Sequence, residues 1–256
     1  MIDKGANIEA RQTNGWNALM LVCSKGFESS VRFFLERRAN IESRNNDGYT
    51  PLIIACSNGH ESIARLLIER GANINAVSAK RHNSLMIASH HGQESVARML
   101  IEKRMDLEAR DKDGLTALAI ACCNDRHSVA RLLIESGANI ESKTSIGSTP
   151  LSWTSQLGHE STARLLIEKG ANIEARNDKG STPLIVASVM GNETVAKLLL
   201  DKGAFIDAKT SSQWTALMLA TLENQVAVVR LLLSRGADFN FGVCVFLLFP
   251  FFSFVF

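Results

Sequence analysis

The chain has 256 residues, and 46% of them are hydrophobic, which is enough to form a full core. The formal net charge is +2, with acidic and basic residues interleaved along the chain. A nucleic-acid interface needs clustered Lys and Arg together with stacking aromatic residues, so we expect no nucleic-acid partner.

A short motif, Gly-Ala-Asn or a close variant of it, returns along the chain at a fixed step of 33 residues. Its first position holds, in turn, Gly5, Arg38, Gly71, Arg104, Gly137, Gly170, Gly203 and Gly236. A strict period of this length predicts stacked copies of one supersecondary unit, that is, a solenoid. Such proteins usually act through a surface rather than through a catalytic cleft.

This step divides the chain into a remnant of a preceding repeat, seven full repeats and an apolar tail. The boundaries are 1–11, 12–44, 45–77, 78–110, 111–143, 144–176, 177–209, 210–242 and 243–256. The first residues lack the apolar segment of a signal peptide, and 1–11 reads as the end of a helix whose first part is missing. We therefore expect the chain to start inside a repeat.

The second repeat shows the predicted elements most clearly. Thr50 is a good N-cap, and Pro51 occupies the first helical position, where its missing N–H costs nothing. This helix is short and is predicted to stop near Gly59. A second helix, with apolar residues at helical spacing, follows over 61–68 and ends before Gly71.

Apolar and charged residues repeat at fixed offsets. One column holds Leu19, Leu52, Leu85, Leu118, Leu151, Leu184 and Leu217, and we expect each repeat to be covered by its neighbour. Acid-first pairs at i, i+4 are Glu28–Arg32, Glu61–Arg65, Glu94–Arg98, Glu160–Arg164 and Glu193–Lys197. Each such pair stabilises an exposed helix by about 0.2–0.5 kcal/mol. We interpret this face as a solvated outer surface; the alternative is a charged binding stripe.

These residues resemble the ankyrin repeat. The Thr-Pro-Leu helix start, an Ala column, the Gly-His pairs at 59–60 and 158–159, a Leu-Leu pair and Gly-Ala-Asn stand at the ankyrin offsets over 1–242. The resemblance implies an all-α ankyrin-repeat solenoid of stacked helix-turn-helix units with hairpin-like fingers. It also implies a structural role for the imidazoles of His60 and His159.

The cysteines argue for a reducing compartment. Cys23, Cys56 and Cys122 share one repeat offset, and we expect them to be small buried residues. Cys123 and Cys244 make the total odd, and no Cys-x-x-Cys occurs, so neither a disulfide framework nor a zinc ribbon is expected. We expect an intracellular protein, in the cytoplasm.

The sequence contains no Gly-rich phosphate loop, no His-Glu-x-x-His and no nucleophile elbow. We therefore predict that the protein is not an enzyme and uses no cofactor. The one histidine cluster is formed by His82, His90 and His91. A metal site is conceivable there, but spacing alone is weak support, and we interpret these residues as partner contacts.

The resemblance implies that a partner contacts the fingers and the ends of the first helices. Carried over by offset, the partner-binding residues are Trp16, Tyr49, His82, His90, His91, Leu115, Leu157, Val189, Met190, Trp214 and Leu222. The later ones form an apolar run with aromatic and Met side chains, which is typical of interaction anchors. The alternative is that these residues only pack against neighbouring fingers.

We predict a non-catalytic protein–protein interaction module, a scaffold or adaptor, that is monomeric and binds a protein partner on its concave finger and inner-helix surface. One alternative is the targeting arm of a larger enzyme or receptor of which this chain is a fragment. Another is a membrane-associated adaptor, held by the tail at 243–256.

The tail has no charge and does not continue the repeat. Its 14 residues include Pro250, and this length falls short of the roughly 20 residues needed to cross a bilayer. Three interpretations stay open. The segment is non-native sequence from a truncated or misread coding region, an apolar cap on the last repeat, or a membrane anchor.

Some repeats carry a non-Gly residue where the motif favours Gly, and these positions predict local weakness. They are Arg81, Asp125, Gln213 and Asn224. Because a non-Gly residue at positive φ is strained, we expect 78–126 to be the least stable internal stretch.

Hydrogen exchange followed by mass spectrometry should show faster exchange over 78–126 than over the flanking repeats. Uniform protection would contradict this prediction.

Overall fold

The computed structural model describes residues 7–239, so the predictions for the first six residues and for the tail at 243–256 lie outside the described residues. Fourteen helices follow one another in the described range. They are α1 (Ala18–Lys25), α2 (Glu28–Glu36), α3 (Pro51–Ser57), α4 (Glu61–Glu69), α5 (Ser84–His91), α6 (Glu94–Glu102), α7 (Ala117–Cys123), α8 (His127–Glu135), α9 (Pro150–Leu157), α10 (Glu160–Glu168), α11 (Pro183–Val189), α12 (Glu193–Asp201), α13 (Ala216–Leu222) and α14 (Val226–Ser234).

The predicted all-α class is confirmed. Within residues 7–239 the β structure amounts to one isolated antiparallel bridge, between Lys209 and Thr215. None of the helices in this range combines the length and the apolar character that a membrane-spanning helix requires.

The first helix of a repeat is short because strong signals set both of its ends. In α3 the Thr50 side chain accepts a hydrogen bond from Ile53 N at 3.3 Å, and Pro51 is the first helical residue. The helix ends at Ser57, and Gly59 then turns the chain with a φ of 77°. The same N-cap bond is made by Asn17, Asn83, Thr116, Thr182 and Thr215.

The second helix is amphipathic and ends in a glycine motif. In α4 the residues Ile63, Leu66 and Leu67 are buried on one face. Gly71 follows with a φ of 91°, and its N–H donates to Ile68 O at 3.0 Å. The N–H of Ala72 donates to Leu67 O at 2.9 Å, which completes a Schellman motif.

The described chain comprises two compact units. The first contains residues 7–154 and 159–172, and the second contains 155–158 and 173–239, so the division falls inside α9. In the first unit α1, α3, α5 and α7 pack in series, as do α2, α4, α6, α8 and α10. In the second unit α11 packs on α13, and α12 packs on α14. The Leu column is buried in both units, for example at Leu85 and Leu184, as predicted.

Successive fingers are joined by side-chain bonds to the backbone. Glu42 Oε1 accepts from Asn73 N at 2.7 Å, and Glu9, Glu108 and Glu141 make the same bond in the first unit. Arg44 Nη1 donates to Val77 O at 2.6 Å, across 33 residues. In the second unit Glu174 accepts from Phe205 N at 2.8 Å. These bonds hold each finger to the next.

All four predicted non-Gly positions have positive φ: Arg81 at 63°, Asp125 at 52°, Gln213 at 67° and Asn224 at 56°. Arg38 and Arg104 are also positive, at 60° and 58°. The backbone is therefore left-handed at these six sites despite the Cβ, and the strain comes from the repeat geometry rather than from the local sequence.

The finger turns allow a paired test of this strain. A Cβ on Gly48 would lie 2.8 Å from Ala79 N, so Gly48→Ala should lower the free energy of unfolding by about 1–3 kcal/mol. Arg81 occupies the equivalent position one repeat later, and Arg81→Gly should raise that energy by about 1 kcal/mol. Urea unfolding monitored by circular dichroism measures both. Arg81→Ala, which keeps the Cβ, is the control, and equal stability of the Gly and Ala variants would contradict the strain.

Candidate functional site

The ends of α1, α3, α5, α7, α9 and α11 are each bonded by a side chain of the following repeat. These side chains occupy one offset in the repeat, and each bonds a carbonyl 36 residues earlier. Gln93 Nε2 donates to Ser57 O at 3.2 Å, and Arg126 Nε donates to His90 O at 3.0 Å. In the second unit Gln225 Nε2 donates to Val189 O at 3.2 Å. The main chain beneath the predicted contact residues is therefore held in place.

The two Gly-His histidines belong to this column. His60 Nε2 lies 3.1 Å from Ser24 O, and His159 Nε2 lies 3.1 Å from Cys123 O. Their structural role, which the resemblance implied, is confirmed by these contacts. The carbonyls that they bond would otherwise be orphan acceptors at a helix end.

The finger residues stand on equally fixed turns. Leu115 O accepts from Asp111 N at 3.1 Å, and Leu115 N donates to Asp111 Oδ1 at 2.8 Å. Tyr49 makes the same two bonds to Asn45, at 3.1 and 2.8 Å. Because the turn satisfies the backbone on both sides, the side chain at this position varies without changing the finger.

In the first unit, Trp16, Tyr49 and Leu115 are half-buried at their finger positions. Tyr49 packs against the buried cluster of Ile53, Ala76 and Ile87. Burial, with a smaller contribution from the charge of Asp47, raises the pKa of the Tyr49 phenol. These side chains combine a packed base with an accessible edge, as interface anchors do.

The histidines of the first unit do not converge on a metal site. His82 Nε2 lies 3.2 Å from Asp111 Oδ2, whereas His90 and His91 form an exposed edge-to-face pair with ring centroids 4.8 Å apart. Within residues 7–239, no group of three or more His, Cys, Asp or Glu side chains is arranged to hold a metal ion.

In the second unit, the predicted apolar residues lie at the ends of α9, α11 and α13 and on the last finger. Leu157 is 45% exposed, and Val189, Met190, Leu222 and Trp214 are half-buried. The helix ends are tied together, since Asn192 Nδ2 donates to Gln156 O at 2.8 Å and Gln225 bonds Val189 O. All eleven predicted contact residues are thus at least partly accessible.

Sequence reasoning missed two residues. Trp153 lies half-buried on α9, and its Nε1 is buried with no hydrogen-bond partner in the described structure. Other repeats of the first unit place Ile54, Ile87 and Ile120 at this offset. A Trp in an otherwise aliphatic column is visible in the sequence and could have singled out Trp153. Arg126 is the second, because its column was not recognised as a set of inter-repeat donors.

The outer helices carry the predicted ion pairs. Four of the five pairs form, with N···O distances of 2.6 Å (Glu28–Arg32), 2.8 Å (Glu61–Arg65), 2.9 Å (Glu94–Arg98) and 2.7 Å (Glu160–Arg164). Their side chains are about half exposed, and pairs of this kind contribute little net stability. This agrees with a solvated outer surface.

Comparison with known proteins identifies the family. The sequence model for ankyrin repeats, in three copies, matches residues 1–78, 76–144, 141–210 and 175–242, and the chain therefore belongs to the ankyrin-repeat family. Among solved structures, it is similar to the ankyrin repeat domain of Bcl-3, described as a unique member of the IkappaB protein family. The identity is 29% over 85% of this chain and 99% of that chain, with a TM-score of 0.71. No curated protein sequence gave a significant match.

The cysteine environments give a test of the packing around the first helices. Burial raises the pKa of the Cys23 and Cys56 thiols to about 12, and it raises that of Cys122 well above its usual range. A thiol of pKa 12 is about one part in 10,000 thiolate at pH 8, so these three thiols should resist maleimide in the native protein. Mass spectrometry on a Cys244→Ser variant counts the labels, with urea-unfolded protein as the control. Rapid native labelling of Cys56 would contradict the packing.

Proposed function

We propose that this protein is a non-catalytic scaffold or adaptor that binds a protein partner through its fingers and the ends of its first helices. Ankyrin repeats are generally protein–protein interaction modules, and the chain belongs to that family. The proposal includes a monomeric state and a cytoplasmic location. The free thiols of Cys23, Cys56, Cys122 and Cys123 favour the reducing environment of the cytoplasm.

One observation carries the proposal. At the predicted contact positions the backbone is bonded on a regular pattern, whereas the side-chain type differs among the repeats, and the eleven predicted contact residues are at least partly accessible. Gln225, for example, donates to the main-chain carbonyl of Val189, whereas the side chain of Val189 is half-buried and partly accessible. A fixed backbone lowers the entropy cost of binding, because little of the surface has to be ordered when the partner arrives.

The second unit supplies the strongest anchors for a partner. Trp214 and Met190 belong to the side-chain types that interface cores favour. Each remains partly exposed at the edge of a fixed helix or finger. We therefore assign most of the binding free energy to a few of these apolar side chains rather than to the total contact area.

The proposal predicts the behaviour of the double variant Trp214→Ala with Met190→Ala. Both side chains are half-buried on fixed backbone, so their loss should weaken partner binding by a factor of roughly 100 or more while the far-UV circular dichroism stays unchanged. Partners are first captured from cell extract by the immobilised wild-type protein and identified by mass spectrometry. Each is then titrated against both proteins.

The matched control removes exposed apolar side chains from the outer face of the same unit. Val226 is 52% exposed and Leu233 is 45% exposed, both on α14. Val226→Ala with Leu233→Ala should leave the affinity unchanged. A partner that loses affinity for both double variants equally, or unfolding of the Trp214 and Met190 variant, would refute the assignment of this surface.

A further inference from the structure

The end of α5 gathers three nitrogen-rich side chains in the first unit. His90 and His91 are exposed, and their rings meet edge to face with centroids 4.8 Å apart. Arg126 reaches back from the next repeat, and its Nε donates to His90 O at 3.0 Å. A Cβ on Gly92 would lie 2.9 Å from Arg126 Cδ, so the arginine side chain lies directly over the end of this helix.

The repeat pattern does not require this charge. At the offset of Arg126, the other donors are the neutral amides Gln93, Asn192 and Gln225 and the histidines His60 and His159. Each makes the same bond to the preceding repeat without a guanidinium. Repeats one and two place Ser24 and Ser57 at the offset of His90, and repeats two and four place Asn58 and Asn124 at that of His91. Three substitutions toward cationic chemistry therefore meet at one interface.

Among residues 7–239, His90, His91 and Arg126 form no ion pair with a carboxylate. Arg126 uses one N–H for His90 O, and its terminal nitrogens have no partner among the described residues. The pKa of His90 is lowered by burial first, and then by the charges of His91, Arg126 and His82. That of His91 is lowered by burial and then by Arg126.

The carboxylates on the surrounding elements are bound elsewhere. Asp111 is buried, with Oδ2 at 3.2 Å from His82 Nε2 and Oδ1 accepting from Asp113 N and Leu115 N. On α6, Glu94 is paired with Arg98 at 2.9 Å. After α7, Asp125 Oδ1 accepts from Thr162 Oγ1 at 2.7 Å. In the preceding repeat the offset of His91 holds Asn58, a neutral side chain bonded to Ile54 O at 2.9 Å.

We propose that His90, His91 and Arg126, with His82 at the edge, form a docking patch for an acidic segment of the partner protein. This inference rests on the proposed function and adds the chemistry of the partner. The free terminal nitrogens of Arg126 offer the fork that a carboxylate fills with two parallel hydrogen bonds. The two imidazoles beside it donate to the next carboxylate once they are protonated.

The proposal fixes the direction of the pH dependence. A carboxylate beside an imidazole favours its protonated form, so the pKa of each histidine is higher in the complex than in the free protein. Binding therefore takes up protons. The affinity rises as the pH falls through the bound-state pKa, and it levels off below the free-state pKa, which lies beneath its usual value.

The experiment uses the full chain and a labelled synthetic peptide of alternating aspartate and alanine, with fluorescence anisotropy as the measurement. The same peptide with asparagine in place of aspartate is the ligand control. We expect the aspartate peptide alone to bind, several times more tightly at about pH 6 than at about pH 8. Added salt should weaken the complex.

The test variant is H90S/H91N/R126Q, which uses residues that the chain itself carries at these offsets. The Gln keeps the bond to the preceding helix, as Gln93 does, so the fold should be retained on thermal melting. Affinity for the aspartate peptide should fall roughly tenfold or more, because a charge-assisted contact is lost. If the triple variant does not fold, Arg126→Gln alone gives the same test. Lys25→Asn, at the offset of His91 in repeat one, is the protein control and should bind like the wild type.

Three results would overturn the inference: equal binding of both peptides, unchanged affinity in the triple variant, or tighter binding of an RNA oligonucleotide that the triple variant loses. The outcome is separable from that of the proposed function, because Trp214→Ala with Met190→Ala should keep full affinity for the aspartate peptide. Loss of a partner through the Trp214 surface, with no aspartate binding at all, would refute the acidic-segment proposal and leave the proposed function standing.

Discussion

Each of the first six repeats depends on the repeat that follows it. The carbonyl of Ser57, the last residue of α3, is bonded by a side chain 36 residues later, because Gln93 Nε2 donates to it from the next repeat. The same neighbour covers the apolar face through columns such as Leu52 and Leu85. Polar satisfaction and apolar burial therefore depend on one constraint, the fixed step of the repeat, and a single inserted residue would break both.

This constraint explains what the sequence could predict. The helix starts at Thr50 and Thr182 follow from local chemistry, because capping involves only the next three residues. The positive φ at Arg81 and Asp125 follows from the period, since the position and not the residue type sets the backbone there. Both kinds of prediction need only the spacing of residues along the chain.

The inter-repeat bonds could not be predicted in the same way. The acidic column of Glu42 and Glu108 is visible in the sequence, but its partner is a backbone amide of the next finger, which has no signature of its own. The same holds for Arg126, whose acceptor is a carbonyl. The accessible places of the predicted contact residues in the repeat followed from their offset, whereas the chemistry of each depends on which neighbours the fold brings to it. Trp153 shows the limit, because only the structure reveals that its indole nitrogen is buried without a partner.

Two side-chain bonds regularly join one finger to the next, one from a Glu carboxylate to a backbone N–H and one from an Arg guanidinium to a backbone carbonyl. In the first unit both are missing at one place, between the fingers at 73–82 and 106–115. At this place Asn75 stands at the offset of Glu42, and Val77 stands at the offset of Arg44. Among the described residues, neither side chain bonds the next finger. The backbone bond between these fingers, from Lys112 N to Lys80 O, is also long, at 3.3 Å. The contact between His82 and Asp111 links the same two fingers.

The proposed docking patch, which has His82 at its edge, thus adjoins the interface at which the regular finger bonds are replaced by the contact between His82 and Asp111. Functional side chains commonly occupy positions where local regularity has been given up, since a residue chosen for an outside contact is not free to serve the repeat. Here the replacement keeps the repeats in register: His82 bonds Asp111, and Arg126 still bonds His90. Among the described residues, these bonds do not use the side chains of His90 and His91 or the terminal nitrogens of Arg126, and these are the groups that we propose for the contact with a partner. The same reasoning applies to Trp214 and Met190, whose side chains the inter-repeat bonds do not use.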